Sequence, residues 1–346
     1  MEQVIRVLIV DDSAYVRKVI KQMLSRSPFI EVVGTARDGT EALDLVQELK
    51  PDVITLDLIM PNMNGVEFLR EQMQRHPIPV IIVSIASESG ETALEALDAG
   101  AVDFVQKPTA LATEKVFEIS DELIQKVKAA ARVKLSNLTT NIKHQTTATM
   151  AAKIPSGAID IVVMGISTGG PQALSFLIPQ LPEKFPIPVA VVLHMPVGYT
   201  EMYARRLNEI SQLKVVEAQE KTPVTAGTVL IAPAGRHLTF IRQPDGTVIT
   251  HLDARPFDTL HRPSVDVLFQ SAAEVFGDRV LGVVMTGMGS DGKQGAAWIK
   301  SHGGLIFTES EESCVVYGMP RSIEEAGLSD KSIPLTQIAA SIMGVL

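Results

Sequence analysis

Short, nearly unbroken apolar runs recur along the chain, each closed by a polar residue. In the first third they are Ile5-Arg6-Val7-Leu8-Ile9-Val10, Val53-Ile54-Thr55-Leu56 and Val80-Ile81-Ile82-Val83, and a fourth, shorter strand-like run, Asp103-Phe104-Val105-Gln106, is apolar only at its centre. Further on come the runs at 159–164, 189–193 and 280–285. Their length, their β-branched content and the Gly and polar residues that bound them predict strands buried on both faces. Apolar positions at helical spacing fill 14–25, 40–49, 66–74, 91–99 and 171–181. The last of these opens on Pro171, which suits a first helical turn. Strand followed by helix, repeated, predicts an α/β chain with parallel sheets and right-handed crossovers.

At 346 residues the chain is long enough for about two domains, each with its own core. The stretch 132–157 divides them. It is rich in Thr, Ala, Lys and Asn, carries no apolar stripe past Val133 and Leu135, and ends in Ile154-Pro155-Ser156-Gly157, so it reads as a linker.

The polar residues that close the runs carry the chemistry. Asp11-Asp12 closes the first, Asp57 the second ahead of the turn signals Met60-Pro61 and Asn64-Gly65, Ser84 the third, and Lys107 precedes Pro108 after the fourth. Singly, these are ordinary strand-end residues. Jointly, they form a constellation, because carboxylates crowded at one end of a sheet repel each other unless a hard cation such as Mg2+ neutralises them. With a lysine and a hydroxyl beside it, such an ion suits a phosphoryl group passing onto a carboxylate, with Asp57 as acceptor.

The later runs deliver a different set. Gly165-Ile166-Ser167-Thr168-Gly169-Gly170 places Ser167 on a turn between strand and helix, where backbone amides and the helix dipole can stabilise an oxyanion. The run at 189–193 ends in His194, and the run at 280–285 leads into Thr286-Gly287-Met288-Gly289-Ser290-Asp291-Gly292. A nucleophile, a base and an orienting acid can meet at the ends of neighbouring parallel strands. Their order along the chain, Ser, His, Asp, differs from that of α/β-hydrolases, so the GxSxG match does not indicate that fold. The same GxSxGG turn is also a loose relative of phosphate-binding turns. Among the seven histidines His76, His144, His251, His261 and His302 are weak rivals for the base, and spacing alone leaves His237 in contention with His194.

At this point the residues resemble two known families. Residues 1–125 resemble a response-regulator receiver domain. Residues 158–346 resemble the catalytic domain of the chemotaxis protein-glutamate methylesterase (CheB) family. The second likeness is carried by Gly165-Ile166-Ser167-Thr168-Gly169-Gly170-Pro171, His194-Met195-Pro196, Arg262-Pro263-Ser264-Val265-Asp266-Val267-Leu268-Phe269, Thr286 to Gly292, and Ser313-Cys314-Val315-Val316-Tyr317-Gly318-Met319-Pro320. The resemblance implies a flavodoxin-like (βα)5 receiver, a linker over 126–157, and a doubly wound, mostly parallel α/β hydrolytic domain. It implies a triad of Ser167, His194 and Asp291, with Thr168 and Met288 lining the site. In the receiver it implies Asp57 as phosphoacceptor, Asp11 and Asp12 as acidic-pocket residues around Mg2+, Ser84 and Lys107 as phosphate contacts, and Phe104 as the aromatic that follows the switch. No cofactor is implied at the hydrolase site. The implied function is a phosphorylation-activated serine hydrolase that removes methyl esters from glutamates of chemoreceptors and deamidates receptor glutamines. A chemotaxis histidine kinase would be the phosphodonor. Two positions depart from the family pattern. Ile166 is a mild change with little chemical consequence, whereas Ile59 stands where these methylesterases often carry a glutamate, which bears on dephosphorylation.

Charge and cysteine content narrow the alternatives. Lys and Arg number 31 against 40 Asp and Glu, a net charge of −9, and no basic run is dense enough to follow a phosphate backbone, which argues against nucleic acid as a partner. Cys314 is the only cysteine, so no intrachain disulfide forms, in keeping with a reducing cytoplasm, and a buried structural role is expected for it. No signal peptide and no bilayer-spanning run is evident, so a soluble, cytoplasmic protein without membrane insertion is expected. A regulatory or nucleotide-binding module without hydrolase activity is the competing reading. A receiver-linked transcription factor is disfavoured by the many strand runs and the lack of a basic recognition helix.

Overall fold

The computed structural model describes residues 4–84, 86–107, 114–133 and 159–346. The chain divides into two compact units, Met1–Thr140 and Asn141–Leu346. Pro108 and residues 134–157 of the linker expected over 126–157 lie outside the described residues.

In the first unit, strands β1 (Ile5–Val10), β2 (Ile30–Ala36), β3 (Val53–Leu56), β4 (Val80–Ser84) and β5 (Asp103–Gln106) alternate with helices α1 (Ala14–Leu24), α2 (Gly39–Leu49), α3 (Gly65–Arg75), α4 (Ala86–Asp98) and α5 (Glu114–Ala130). The strand order is β2-β1-β3-β4-β5, and every neighbouring pair is parallel. The interior strands β3 and β4 are buried along their whole length, as continuous apolar runs require. β2 lies at the sheet edge and alternates with exposed positions, so Ile30-Glu31-Val32-Val33-Gly34-Thr35-Ala36 forms no apolar run and is not evident from patterning. Helix starts are fixed by local chemistry. Asn64 and Glu67 form a reciprocal capping box at the head of α3, which pins the turn after Asp57.

The second unit holds a seven-stranded sheet of order β14-β13-β12-β6-β7-β9-β8 and a separate antiparallel hairpin. Its elements are β6 (Ile161–Ile166), α6 (Gly170–Leu177), β7 (Val189–Leu193), α7 (Thr200–Ile210), β8 (Lys214–Glu217), β9 (Thr228–Ile231), the hairpin β10 (His237–Arg242) and β11 (Val248–Asp253), α8 (Val265–Phe276), β12 (Val280–Val284), α9 (Lys293–Ser301), β13 (Leu305–Glu309), α10 (Met319–Glu324), β14 (Lys331–Ile333) and α11 (Leu335–Met343). Neighbours in the seven-stranded sheet pair in parallel. The helix expected over 171–181 ends at Leu177 and passes into a 3-10 turn at Ile178–Gln180, where Pro179 has no amide to continue the α-helical ladder. Helix α8 presents Val265, Leu268, Phe269, Ala272, Ala273 and Phe276 as one stripe to a core that includes Val163, Val192, Leu230 and Ile306. Full burial of a side chain such as Phe269 contributes about 1.5–3 kcal/mol.

Both sheets grow outward in two directions from their first strand. The order reverses between β1 and β3 in the first unit and between β12 and β6 in the second. At such a switch point the loops leaving the carboxyl ends diverge and leave a crevice, and ligands bind there.

Candidate functional site

The crevice of the first unit collects acids. Asp11 follows β1 and is fully buried, Asp57 follows β3 and is nearly so, and Asp12 is exposed. One carboxylate oxygen from each of Asp11, Asp12 and Asp57 falls within 4.8 Å of the others. Lys107 Nζ bridges Asp11 Oδ2 at 2.8 Å and Asp57 Oδ2 at 2.7 Å. Burial pushes the Asp11 and Asp57 carboxyls above their ordinary range despite the lysine. Burial works against the Lys107 charge too, yet its bonds to both aspartates win and hold its pKa above the ordinary value. One ammonium set against three carboxylates leaves unneutralised charge, and the donor set of hard oxygens suits a divalent cation. The Asp57 Oδ1 atom accepts the Leu58 amide at 2.8 Å. Gly65 passes so close that a Cβ there would sit 2.3 Å from the Asp57 carbonyl oxygen, so only glycine allows this turn. Ser84 and Phe104 are buried in the adjacent strands, and Ile59 is half exposed at 52%.

In the second unit Ser167, His194 and Asp291 leave β6, β7 and the loop after β12, three strands adjacent in the sheet. The Ser167 amide donates to the Thr286 carbonyl at 3.0 Å, and the His194 amide to the Ile166 carbonyl at 3.1 Å, so the backbones of all three segments are stitched together at one level. The turn at the serine is tight: Gly170 N–H donates to Ser167 C=O at 2.7 Å, and Gly169 caps α6 with φ of +79°. Gly287 lies against the serine, since a Cβ there would come 2.9 Å from Ser167 Cβ. Met288 follows it directly, and Thr168 is buried with its carbonyl accepting the Thr286 hydroxyl at 2.9 Å. The Ser167 and Gly170 amides are thus already engaged within the protein.

His194 Nε2 lies 2.8 Å from Asp291 Oδ2. Its Nδ1 is buried and has no hydrogen-bond partner. Neutral His194 therefore donates through Nε2 to the carboxylate and keeps its basic lone pair on Nδ1. Asp291 also accepts the Ser264 hydroxyl at 2.8 Å, the Val265 amide at 2.9 Å and the Asp266 amide at 3.0 Å. Burial opposes its charge, but His194 and the amides at the head of α8 outweigh burial and hold the carboxyl well below the usual range.

His237 is not at the serine. It is fully buried one layer behind, its Nδ1 accepting the Ser264 amide at 3.2 Å and its Nε2 bonded to the Pro256 carbonyl at 3.1 Å, and burial lowers its pKa. His261 is nearer than its sequence context suggests: its ring stacks on His194 with centroids 4.0 Å apart. Two further participants have no signal of their own in the sequence. Asp266 accepts the amides that head α9, and Glu309, fully buried at the end of β13, accepts the Thr286 amide at 2.8 Å. The S-x-D spacing of Ser264 and Asp266 before an apolar run marks a helix start, but nothing in it says that the helix head would face Asp291. Cys314 is buried, and burial with the nearby Glu309 charge raises its pKa, so the thiol stays protonated.

Comparison with known proteins supplies the family. The family model for the CheB methylesterase matches residues 162–342, and that for the response regulator receiver domain matches residues 7–116. The chain is 50% identical over 97% of its length and 96% of the relative's to "Protein-glutamate methylesterase/protein-glutamine glutaminase 5" of Myxococcus xanthus. It is 41% identical over 99% of its length and 98% of the relative's to the protein-glutamate methylesterase/protein-glutamine glutaminase of Thermotoga maritima. The crystal structure of the Thermotoga maritima CheB methylesterase catalytic domain superposes with a TM-score of 0.53 at 41% identity, covering 54% of this chain and 99% of that one. With family models matched in both units and full-length relatives 41–50% identical, this chain belongs to the CheB methylesterase family.

Proposed function

We propose that this chain is a phosphorylation-activated serine hydrolase that cleaves glutamate methyl esters on chemoreceptors and also deamidates receptor glutamines. The observation that carries the reading is the His194–Asp291 pair, 2.8 Å apart at the switch point from which Ser167 emerges, with Nδ1 of His194 left unpartnered. Ser167 Oγ attacks the ester carbonyl carbon while His194 Nδ1 takes its proton. Asp291 holds the imidazole in the required tautomer and stabilises the imidazolium. As the tetrahedral intermediate collapses, His194 returns the proton to the methoxide and methanol leaves. A water molecule, deprotonated by the same nitrogen, then attacks the acyl-serine, and as the acyl carbon–Oγ bond breaks His194 returns the proton to Ser167 Oγ and the glutamate carboxylate is released. With a glutamine side chain ammonia leaves instead of methanol. Thr168 and Met288 line the site at the oxyanion side.

In the receiver, 1–125 in our reading, Asp57 accepts the phosphoryl group from a chemotaxis histidine kinase. Asp11, Asp12 and Asp57 would hold Mg2+, which when bound neutralises charge on the phosphoryl oxygens. Lys107 and Ser84 move toward the new phosphate and Phe104 repacks, and a linker over 126–157 carries the change to a catalytic domain over 158–346. Helix α5, which continues to Ala130, begins that connection. We assign the reaction to the cytoplasm as part of this reading. Separately, no described helix is long and apolar enough to cross a membrane. The competing reading, a nucleotide-binding turn, fits less well because the Ser167 and Gly170 amides already bond within the protein.

The test is methanol release from methyl-esterified receptor membranes. Ser167→Ala should abolish it with the fold intact, and most of the activity surviving in purified Ser167→Ala protein would sink the assignment.

A further inference from the structure

Beside the three site residues lies a half-buried carboxylate to which the mechanism gives no part, Asp266. It belongs to the first turn of α8, yet its Oδ1 accepts the amides of Gly292 at 2.9 Å and Gly295 at 2.7 Å, at the head of the other helix, α9. Asp291, two residues ahead of α9, conversely accepts the amides of Val265 and Asp266 at the head of α8. Neither helix caps itself. The Ser264 hydroxyl, in position to cap α8, donates to Asp291 instead, and the cap position of α9 is Gly292, which has no side chain. The backbones meet closely enough that a Cβ on Gly295 would stand 3.0 Å from Asp266 Cα, and one on Gly292 would stand 2.9 Å from Val265 Cγ1.

We propose that Asp266 is a positioning residue of the hydrolytic reaction, holding Asp291 in register with His194 by a crossed exchange of carboxylates between two helix heads. The proposal rests on the reading of Ser167, His194 and Asp291 as the triad. Asp291 is held at both ends: its carboxylate by α8, and its backbone through the grip of Asp266 on the next residue, Gly292. Removing Asp266 leaves two helix-head amides without an acceptor and one of those two anchors gone. The ring of His194 depends on that anchor, because Nε2 is its one bonded nitrogen. The carboxyl of Asp266 is pushed up to about 6, by burial first and also by the Asp291 charge, in keeping with two acids packed this closely. The titratable groups around it are Asp291 and Lys293 from the α9 side, Asp258 and His261 from the preceding loop, and His194 beyond Asp291.

The experiment compares Asp266→Ala and Asp266→Asn with the parent in the full chain, measuring methanol release from methyl-esterified receptor membranes as a function of pH. The alanine variant, which removes the acceptor, should lose about tenfold to hundredfold in kcat while KM stays within about twofold, because a slightly misplaced catalytic group costs rate rather than binding. The asparagine variant keeps an oxygen for both amides and should recover most of that loss. Its kcat/KM profile should have its acid limb moved to lower pH, since one negative charge near the His194 imidazolium is gone. An alanine variant that folds and keeps kcat within twofold overturns the proposal, as does an asparagine variant as impaired as the alanine one. If the alanine variant does not fold, an acid limb in the asparagine variant that coincides with the parent's overturns it. Ser167→Ala is assayed alongside: activity retained there refutes the triad itself, whereas inactive Ser167→Ala with fully active Asp266→Ala refutes the positioning role alone.

Discussion

Replacing Glu309 by glutamine should make the second unit more stable at pH 8 and leave it nearly unchanged at pH 4.5. Glu309 is fully buried, and burial pushes its carboxyl from an ordinary 4.5 up to about 7, although the Thr286 amide and the Ser313 hydroxyl partly oppose the shift. A folded-state pKa above the unfolded one means that stability is fully present below pH 4.5. It is lost as pH rises toward 7, because the unfolded chain releases a proton that the folded chain retains. A difference of about 2.5 units at ~1.36 kcal/mol each amounts to about 3 kcal/mol of stability lost across that window. Glutamine imitates the protonated acid: its Oε1 can accept the Thr286 amide and its Nε2 can donate to Ser313 Oγ, which also accepts the Leu335 amide at 2.9 Å. The gap between variant and parent should therefore open from near zero at pH 4.5 to about 3 kcal/mol at pH 8. That corresponds to roughly 6–12 °C in Tm for a unit of this size. Trp298, the only tryptophan, lies in α9, so its fluorescence reports unfolding of this unit within the whole chain. Thermal melts of both proteins from pH 4.5 to 8 decide the matter. Parallel curves, with a gap independent of pH, would show that Glu309 ionises normally and refute the reasoning.

Within the triad, His194→Ala should be nearly as damaging to methanol release as Ser167→Ala, and Asp291→Asn milder, because loss of the orienting acid leaves nucleophile and base in place. In the receiver, half-exposed Ile59 offers no polar group to orient a water at the phosphorylated Asp57. Decay of the acyl phosphate should accordingly be slower in the parent than in Ile59→Glu, and equal decay rates would remove the idea. If the receiver restrains the hydrolase until Asp57 is phosphorylated, a fragment beginning near Ala158 should release methanol faster than the unphosphorylated chain, by up to the ~5- to 150-fold that a typical coupling free energy allows. Asp57→Asn should then lose the increase caused by a small-molecule phosphodonor, and a fragment no faster than the parent would rule the restraint out.

Apolar runs at 5–10, 53–56, 80–83, 159–164, 189–193 and 280–285 were readable as buried strands because an interior strand of a parallel sheet meets helices or core on both faces, so nearly every side chain must be apolar. The residue that ends each run was readable as chemistry for the same reason, since chain topology brings strand carboxyl ends to one crevice. Local pattern therefore determined the α/β class and pointed to the acids of the receiver, to Ser167 and to the loop that carries Asp291. It did not determine the edge strands β2 and β14, whose exposed positions break the apolar run. Nor did it separate His194 from His237, because both lie at the end of a strand or the start of one. Only the packing of α8 against α9 decided that His237 stands behind Ser264 and that His194 faces Asp291. The stacked His261, the crossed grip of Asp266 and the buried Glu309 join segments dozens of residues apart in the chain. No spacing rule links such residues, because their roles come from which helix head or loop backbone lies opposite them once the second sheet has closed on its core.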